Sequence, residues 1–304
     1  MTTTRTVPTI SVVIPCYNGG KFLDLPLNSL ARQTFKDFEV VIINDGSTDQ
    51  ATKDRLAALD PSIRVVHQVN KGLSAARNTG FREAQADLVL ALDSDDQLEP
   101  SYLEETLQAL QANQDAGFVV THIRQVGAAQ AIEKRYVNAF DVLFKNVTGY
   151  SMLMRKSAWQ AAGGYDETMR DGYEDWEFNL RLISAGIKGI EIAKPLFVYT
   201  VSAQGMLMSH SSQRHAGLWR RIRDKHHDLY RLPKLLSLYW QNRNARSEIS
   251  PFSTFAALLL TSVLPDKWYS AIIHSMRSQR HRANCAAVPK AETPMPRPSA
   301  VSGS

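Results

Sequence analysis

Cysteine is nearly missing from this 304-residue chain, which carries it only at Cys16 and Cys285. One lies beside an apolar segment that reads as a buried strand and the other in a polar stretch, so neither a disulfide framework nor a cysteine metal cluster is expected. Two free thiols in a reducing cytosol are the default. Long apolar runs are scarce too. The start, Met1 to Thr9, is threonine-rich with one arginine, and the apolar run after it is stopped early by Pro15, so no signal peptide and no secretion are expected. The apolar insert from Pro251 to Pro265 would make a helix of roughly 20 Å. That is short of the roughly 30 Å hydrocarbon core of a bilayer, so no transmembrane span is expected. No internal repeat is visible, and no G-x-G-x-x-G spacing follows the first apolar run, where Asn18-Gly19-Gly20 stands instead.

What is present suffices for a folded chain. Hydrophobic residues make up 44%, enough to bury the core of one large domain or two small ones. The formal charge of +5 favours acidic partners, whether nucleotides, nucleic acid or an anionic membrane surface, without choosing among them.

Short apolar runs alternate with helical patterns. Ile10 to Ile14 reads as a strand, and Phe22, Leu23, Leu27 and Leu30 follow at helical spacing. Glu39 to Asn44 repeats the pattern, ending in Asp45-Gly46, with Ser47-Thr48-Asp49 as a helix cap. Ile63 to Val66 is a third strand, and Gly72 and Ser74 open a helix that runs to Ala84. This alternation predicts an α/β fold with a parallel sheet. A helix follows Pro100, then a strand from Phe118 to Thr121. Arg124 to Thr148 carries no legible period. Asp175 to Ala185 is helical, and Ile190 to Tyr199 is extended but broken by Pro195.

The chain is organised around Leu88 to Asp96, an apolar run that ends in three carboxylates, Asp93, Asp95 and Asp96. In open parallel sheets, ligands bind beyond the carboxyl ends of the strands. Acids this crowded take up protons or are offset by a cation, and a hard divalent cation bridging to phosphate is the economical solution. A plain turn before the helix after Pro100 is the alternative.

Five segments together carry a family resemblance: Ser11-Val-Val-Ile-Pro-Cys-Tyr-Asn18, Val41-Ile-Ile-Asn-Asp-Gly-Ser-Thr-Asp49, Asn70-Lys-Gly-Leu-Ser-Ala-Ala-Arg-Asn-Thr-Gly80, Asp93-Ser-Asp-Asp96 and Gly172-Tyr-Glu-Asp-Trp-Glu177. In this order, over about two thirds of the chain, they resemble the glycosyltransferase family 2 enzymes of the GT-A fold. The resemblance implies a GT-A type nucleotide-binding fold with a mostly parallel mixed sheet, and a nucleotide-diphosphate sugar donor, with a UDP-sugar as the first expectation. It implies that Pro15 and Tyr17 border the base, that Asp45 accepts a hydrogen bond from it, and that Arg77 belongs to the nucleotide pocket. Asp93, with Ser94, lies near the ribose, and Asp95 contacts Mg²⁺ or Mn²⁺ through the diphosphate. His210 is a second candidate metal ligand. Asp175 is the implied general base, Glu174 a supporting residue or acceptor contact, and the transfer inverts the anomeric centre. Asp96 is left without a role. Asp45 also sits where a dinucleotide fold keeps its ribose-binding acid, and Asp95 with Asp175 could flank a glycosidic bond as in a glycosidase.

No Gln-x-x-Arg-Trp segment occurs, so a single-addition enzyme is favoured over a processive synthase. The expected organisation is a catalytic domain over 1–210, a basic and amphipathic helical extension over 211–282, and a disordered Pro-, Ala- and Ser-rich tail over 283–304. The stretch from Arg214 to Lys234 reads as a basic amphipathic helix. With the insert from Phe252 to Val263 it either docks on anionic lipid at the inner face of the plasma membrane, or covers the catalytic domain or pairs with another subunit as a homo-oligomer. Nucleic acid is a weaker partner. The acceptor is a saccharide or glycolipid hydroxyl, in polysaccharide or glycoconjugate synthesis. The different-class alternative is a non-catalytic nucleotide-sugar-binding or membrane-associated scaffold.

Overall fold

The structure is a computed structural model that describes residues 7–201 and 214–250. The expectations for His210, the Phe252 to Val263 insert, Cys285 and the tail lie outside the described residues.

Strand β1 (Ile10–Cys16) is buried along its whole length. The chain then forms α1 (Asp24–Ala31), β2 (Phe38–Asp45), α2 (Gln50–Ala57), β3 (Arg64–Gln68), α3 (Leu73–Glu83) and β4 (Leu88–Ala91). These four strands pair in the order β3-β2-β1-β4, all parallel. The continuous apolar character of β1, β2 and β4 has a direct cause: helices cover both faces, so neither face is free to be polar. Asp49 caps α2 by accepting from the Thr52 amide at 2.7 Å, as the Ser-Thr-Asp run predicts. Helix α3 lies so close to β1 that a Cβ on Gly80 would stand 2.0 Å from Val13 Cγ1.

The second half is β5 (Gln97–Leu98), α4 (Tyr102–Ala112), β6 (Ala116–Gly127), β7 (Ala131–Glu133), β8 (Leu153–Arg155), α5 (Lys156–Ala161), α6 (Glu174–Ser184), β9 (Lys188–Val201), α7 (His215–Lys225) and α8 (Leu232–Asn242). The sheet continues β4-β8-β6-β9-β5, with β7 on β6. Strand β8 is antiparallel to both neighbours, while β6 and β9 run parallel over a long ladder. The sheet is therefore mixed but mostly parallel.

Two expectations change. Pro195 does not end the strand: β9 runs through it, because the register shifts from Thr121↔Ile192 to Ile123↔Phe197 and the extra residues bulge out of the ladder. A bulge removes the demand for an N–H that proline cannot supply. The basic stretch is two helices rather than one, separated by a short turn of helix at His227–Tyr230, with Pro233 in the first turn of α8. Ala216, Leu218, Trp219 and Ile222 of α7 join the core, and Trp219 Nε1 and Tyr230 OH both donate to Leu143 O, at 2.9 and 2.7 Å. Among the described residues no helix is long and apolar enough to cross a membrane.

Candidate active site

The parallel register sets Cys16 beside Asn44, so the chain leaves β1 and β2 at one rim. Asn18, in the left-handed region at φ 50°, ties the two exits together. Its Oδ1 accepts from the Thr48 and Asp49 amides at 2.8 and 3.2 Å, and its own amide donates to Ser47 Oγ at 3.0 Å. Asparagine tolerates that backbone better than most residues. Pro15 is buried in β1, whereas Tyr17 stands 51% exposed at the rim. Gly19 passes close to the strand-end acids, since a Cβ there would lie 2.9 Å from Ser94 Oγ.

Asp45 ends β2 and is buried, with both carboxylate oxygens engaged by the loop that leads into α3. Oδ1 accepts from Gln68 Nε2 and the Lys71 amide at 2.6 and 2.9 Å, and Oδ2 from the Gly72 amide at 2.8 Å. That loop delivers α3, and α3 delivers Arg77.

Arg77 is 1% exposed. One guanidinium nitrogen reaches both oxygens of Asp93 at 2.9 and 3.0 Å, and the other reaches Glu174 Oε1 at 2.9 Å. The rings of Tyr150 and Tyr165 lie 4.8 and 5.4 Å from its Cζ. Burial works against its charge, but Asp93 and Glu174 outweigh burial and hold it well above the usual guanidinium range. Arg77 thus joins the end of the acidic strand to the start of α6.

The three acids of the run are in three different states. Asp93 pairs with Arg77 and its amide donates to Tyr150 OH at 3.3 Å. Asp96 is buried and structural: it accepts from the Tyr150 hydroxyl and, at 2.7 Å, from the Thr200 amide of β9. Burial, then Asp93 and Asp95, push its carboxyl well up. Asp95 has no hydrogen bond or ion pair to another described side chain, and burial, followed by the charge of Asp93, pushes it up to about 6. A half-buried carboxylate with nothing to balance its charge suits a hard cation. Magnesium-like ions usually take one or two carboxylates and complete their shell with phosphate oxygens and water. The residues present fit such an ion, although the described residues contain no cluster of three or more ligating side chains.

On the other side, Gly172 and Tyr173 both have positive φ, at 109° and 64°, and turn the chain sharply into α6. Tyr173 OH hydrogen-bonds His215 Nδ1 at 2.8 Å, and the His215 ring is stacked on Trp176 and Trp219. The turn places Glu174 inward, against Arg77, where burial raises it to about 7, with Arg77 opposing and Asp175 adding to the rise. Asp175 points to Asn146, whose Nδ2 donates to Oδ2 at 2.6 Å, and its Oδ1 accepts from the Trp176 amide at 2.7 Å. Burial raises Asp175 too, while Arg77 and these hydrogen bonds pull it back.

Arg77 links the two sides, through Asp93 at the strand end and Glu174 on α6. The Tyr199 phenol on β9 is raised by burial and then by the charges of Asp96, Asp93, Asp95 and Asp175, and the Tyr165 phenol responds to Asp175, Asp93 and Glu174 as well as to Arg77. The structure thus brings together Asp93, Asp95, Arg77, Glu174 and Asp175, with Pro15, Tyr17, Ser94 and Asp45 on the adjoining rim. Tyr165 OH and Arg77 Nε are buried without a partner, atoms that a ligand oxygen or water would satisfy. Sequence reasoning missed Asn146, Tyr150, Tyr165, Tyr199 and His215. Nothing in the illegible stretch from Arg124 to Thr148 singled out Asn146, and the tyrosines and His215 lie in segments read only for their elements.

The comparisons with known proteins agree with this geometry. The chain is 36% identical over 110 residues to an uncharacterized glycosyltransferase, EpsJ, of Bacillus subtilis, covering 36% of this chain and 32% of EpsJ. It is 31% identical over 173 residues to the glycosyltransferase GlyG of Streptococcus pneumoniae, covering 56% of this chain and 52% of GlyG. The chain thus spans between about a third and a half of these curated relatives. S. aureus TarS 1-349, solved in complex with UDP-GlcNAc, superposes with a TM-score of 0.63 at 18% identity, covering 89% of this chain and 92% of that one. The likeness shows a GT-A fold. The family model for glycosyl transferase family 2 matches residues 11–167, just over half of the sequence and all of the strand ends that carry the donor-side acids, and the chain belongs to that family.

Proposed function

We propose that this chain transfers a sugar from a nucleotide-diphosphate sugar, most simply a UDP-sugar, to a hydroxyl of a saccharide or glycolipid acceptor, with inversion, in the building of a polysaccharide or glycoconjugate. The observation that carries the reading is the bridge made by buried Arg77, which bonds Asp93 at the strand end and Glu174 at the start of α6. Asp95, unpaired, is two residues from Asp93, and Asp175, held by Asn146, follows Glu174, so the Arg77 bridge ties the strand-end acids to the acids of α6. That TarS was solved with UDP-GlcNAc on the same fold supports a nucleotide sugar as the donor.

In this reading Asp175 takes the proton of the acceptor hydroxyl as the acceptor oxygen forms its bond to the anomeric carbon. The bond from that carbon to the diphosphate oxygen breaks, and its electron pair leaves with the nucleoside diphosphate. One base and no covalent intermediate suffice, and attack opposite the leaving group inverts the centre. Asn146 keeps Asp175 oriented, and the burial that raises its pKa strengthens it as a base. Asp95, with His210 as a second candidate ligand from the sequence, would hold Mg²⁺ or Mn²⁺, which when bound would offset the negative charge on the departing diphosphate. Arg77, kept charged by its two carboxylates, fixes Asp93 and the α6 turn relative to each other. Pro15, Tyr17 and Asp45 form the nucleoside side, with Asp45 acting through the loop it pins.

The test is turnover of nucleotide sugars by the full chain with Mn²⁺ present and absent, repeated with Asp175→Asn. Loss of a positioned base lowers the rate by roughly 10²- to 10⁴-fold. A variant within a fewfold of the parent removes the base assignment. Donor binding by the parent without turnover for any acceptor offered would favour the scaffold reading.

A further inference from the structure

Helix α8 has two apolar flanks, and the fold uses one. Leu235 and Leu238 are buried in the core, with Tyr239 packed against it. Leu232, Leu236 and Trp240 stand on a different flank, 59%, 42% and 58% exposed. Four-residue steps advance about 40° each around a helix, so the three form a single stripe. Among the described residues no other α-helix leaves a large apolar side chain so exposed. Arg243, nearly one turn beyond Trp240, lays its guanidinium over that ring at 4.9 Å and so belongs to the same surface.

The charge around the stripe has one sign. From Leu229 to Ser247 the sequence holds Arg231, Lys234, Arg243 and Arg246 and no acid. Arg246 is turned inward to Glu191 and Arg231 pairs with Asp228 at 3.2 Å, while Lys234 and Arg243 are exposed and pair with no acid among the described residues. Helix α7 differs on both counts. Its apolar face is buried, and three basic groups at or in it are engaged within the protein: Arg214 with Asp171, Arg221 with Thr168, and Lys225 with Asp166 and Glu177. The basic, membrane-like character of the sequence from Arg214 onward therefore resolves into one helix that closes the fold and one that faces out.

We propose that the outward stripe of α8 docks on an anionic lipid surface, with Leu232, Leu236 and Trp240 settling into the interface and Lys234 and Arg243 meeting the headgroup phosphates. Aliphatic and indole side chains flanked by cations have the composition of an interfacial helix, and each cation near an anionic bilayer adds to the attraction. A second copy of the same face fits poorly, because a two-fold contact would set Lys234 and Arg243 against their own copies, and neither has an acidic partner among the described residues.

The test is co-sedimentation of the full chain with vesicles of phosphatidylcholine alone and of phosphatidylcholine with one third phosphatidylglycerol, a proportion chosen to give an anionic surface. The parent should partition to the anionic vesicles, less so at high salt. Leu236→Ser combined with Trp240→Ser should lower that partition about tenfold or more, and Lys234→Ala with Arg243→Ala should remove most of the preference for anionic lipid. All four side chains are exposed, so the thermal midpoint of each double variant should match the parent, and that measurement separates lost docking from lost folding. A parent that ignores anionic vesicles overturns the proposal. So does a serine double variant that binds like the parent, which would assign binding to the intact Phe252 to Val263 insert. A parent dimer that the serine substitutions dissolve would assign the stripe to a second copy instead.

Discussion

At the scale of single residues, the chemistry of the site depends on how each carboxylate is partnered. Asp93, Asp95 and Asp96 are close neighbours in sequence, yet one is paired with Arg77, one is without a partner and one is bonded to Tyr150 and Thr200. Asp175 is partnered by an amide. Asn146 Nδ2 donates to its Oδ2, and Asn146 Oδ1 is in turn held by Asn179 Nδ2 at 2.9 Å, which fixes which end of the amide faces the acid. A hydrogen bond to an ionised group contributes about 1.5–3 kcal/mol, and this one favours the carboxylate over the acid. Asn146→Ala should therefore raise the pKa of the base and loosen its orientation. Measured as kcat/KM against pH, the acidic limb should move to higher pH, and the plateau should fall about tenfold or more, with the unfolding midpoint changed much less than the rate. An unmoved acidic limb would separate Asn146 from the base.

At the scale of elements, two contacts decide whether the site is assembled. The first is α3 on β1. The small residues of α3 allow the helix to approach until Gly80 touches Val13, and this approach carries Arg77 to Asp93. Gly80→Ala gains about 1 kcal/mol of helix propensity but places a methyl 2.0 Å from Val13 Cγ1, an overlap that costs about 1–3 kcal/mol or more. Net destabilisation is expected in urea unfolding, and Val13→Ala in the same chain should restore part of it. The second contact ties α6 to α7. Glu177 is fully buried and accepts from Arg181, Lys225 and His226, which holds its carboxyl down from 4.5 to about 2. A depressed carboxylate stabilises the fold above its unfolded pKa, and the gain, roughly 3 kcal/mol, is lost as pH falls from about 4.5 toward 2. Glu177→Gln should be less stable than the parent at neutral pH, with the gap between the two closing through that window. Legibility in the sequence followed the same division. The parallel half could be read because each strand, loop and helix is local and its apolar runs need both faces covered. The other half is built from long-range pairings, β9 beside β6 with β8 between β6 and β4, and those leave no period in Arg124 to Thr148. Asn146 and Tyr150 went unseen for that reason. Asp175 was legible only through the family motif, since an acid at a helix start is ordinary by itself.

At the scale of the whole molecule, the acids of the site stand against the stability of the free chain. Asp95 is half-buried, bears no partner among the described residues, and stands in sequence next to the buried Asp96 and two residues from Asp93. In the unliganded chain its charge is desolvated and repelled, so it opposes folding, and its presence needs a counterpart that arrives from solution. A cation with a nucleotide diphosphate is the counterpart in the proposed function. One substitution should then have effects of opposite sign. Asp95→Ala removes the uncompensated charge, and the free chain should melt at the parent's temperature or above it. In the proposed function the same substitution also removes the anchor for the cation. For the parent, a donor at a hundred times its Kd adds about 2.7 kcal/mol to the folded state, a rise in Tm of roughly 4 °C for a chain of this size, and chelation should cancel it. Asp95→Ala should show little of that rise even with Mn²⁺ in excess. Scanning both proteins without ligand, with UDP-sugar and Mn²⁺, and with UDP-sugar and a chelator gives the six melting curves needed. A variant that melts well below the parent without ligand would mean that Asp95 is structural, and an undiminished response to donor and Mn²⁺ would place the cation elsewhere.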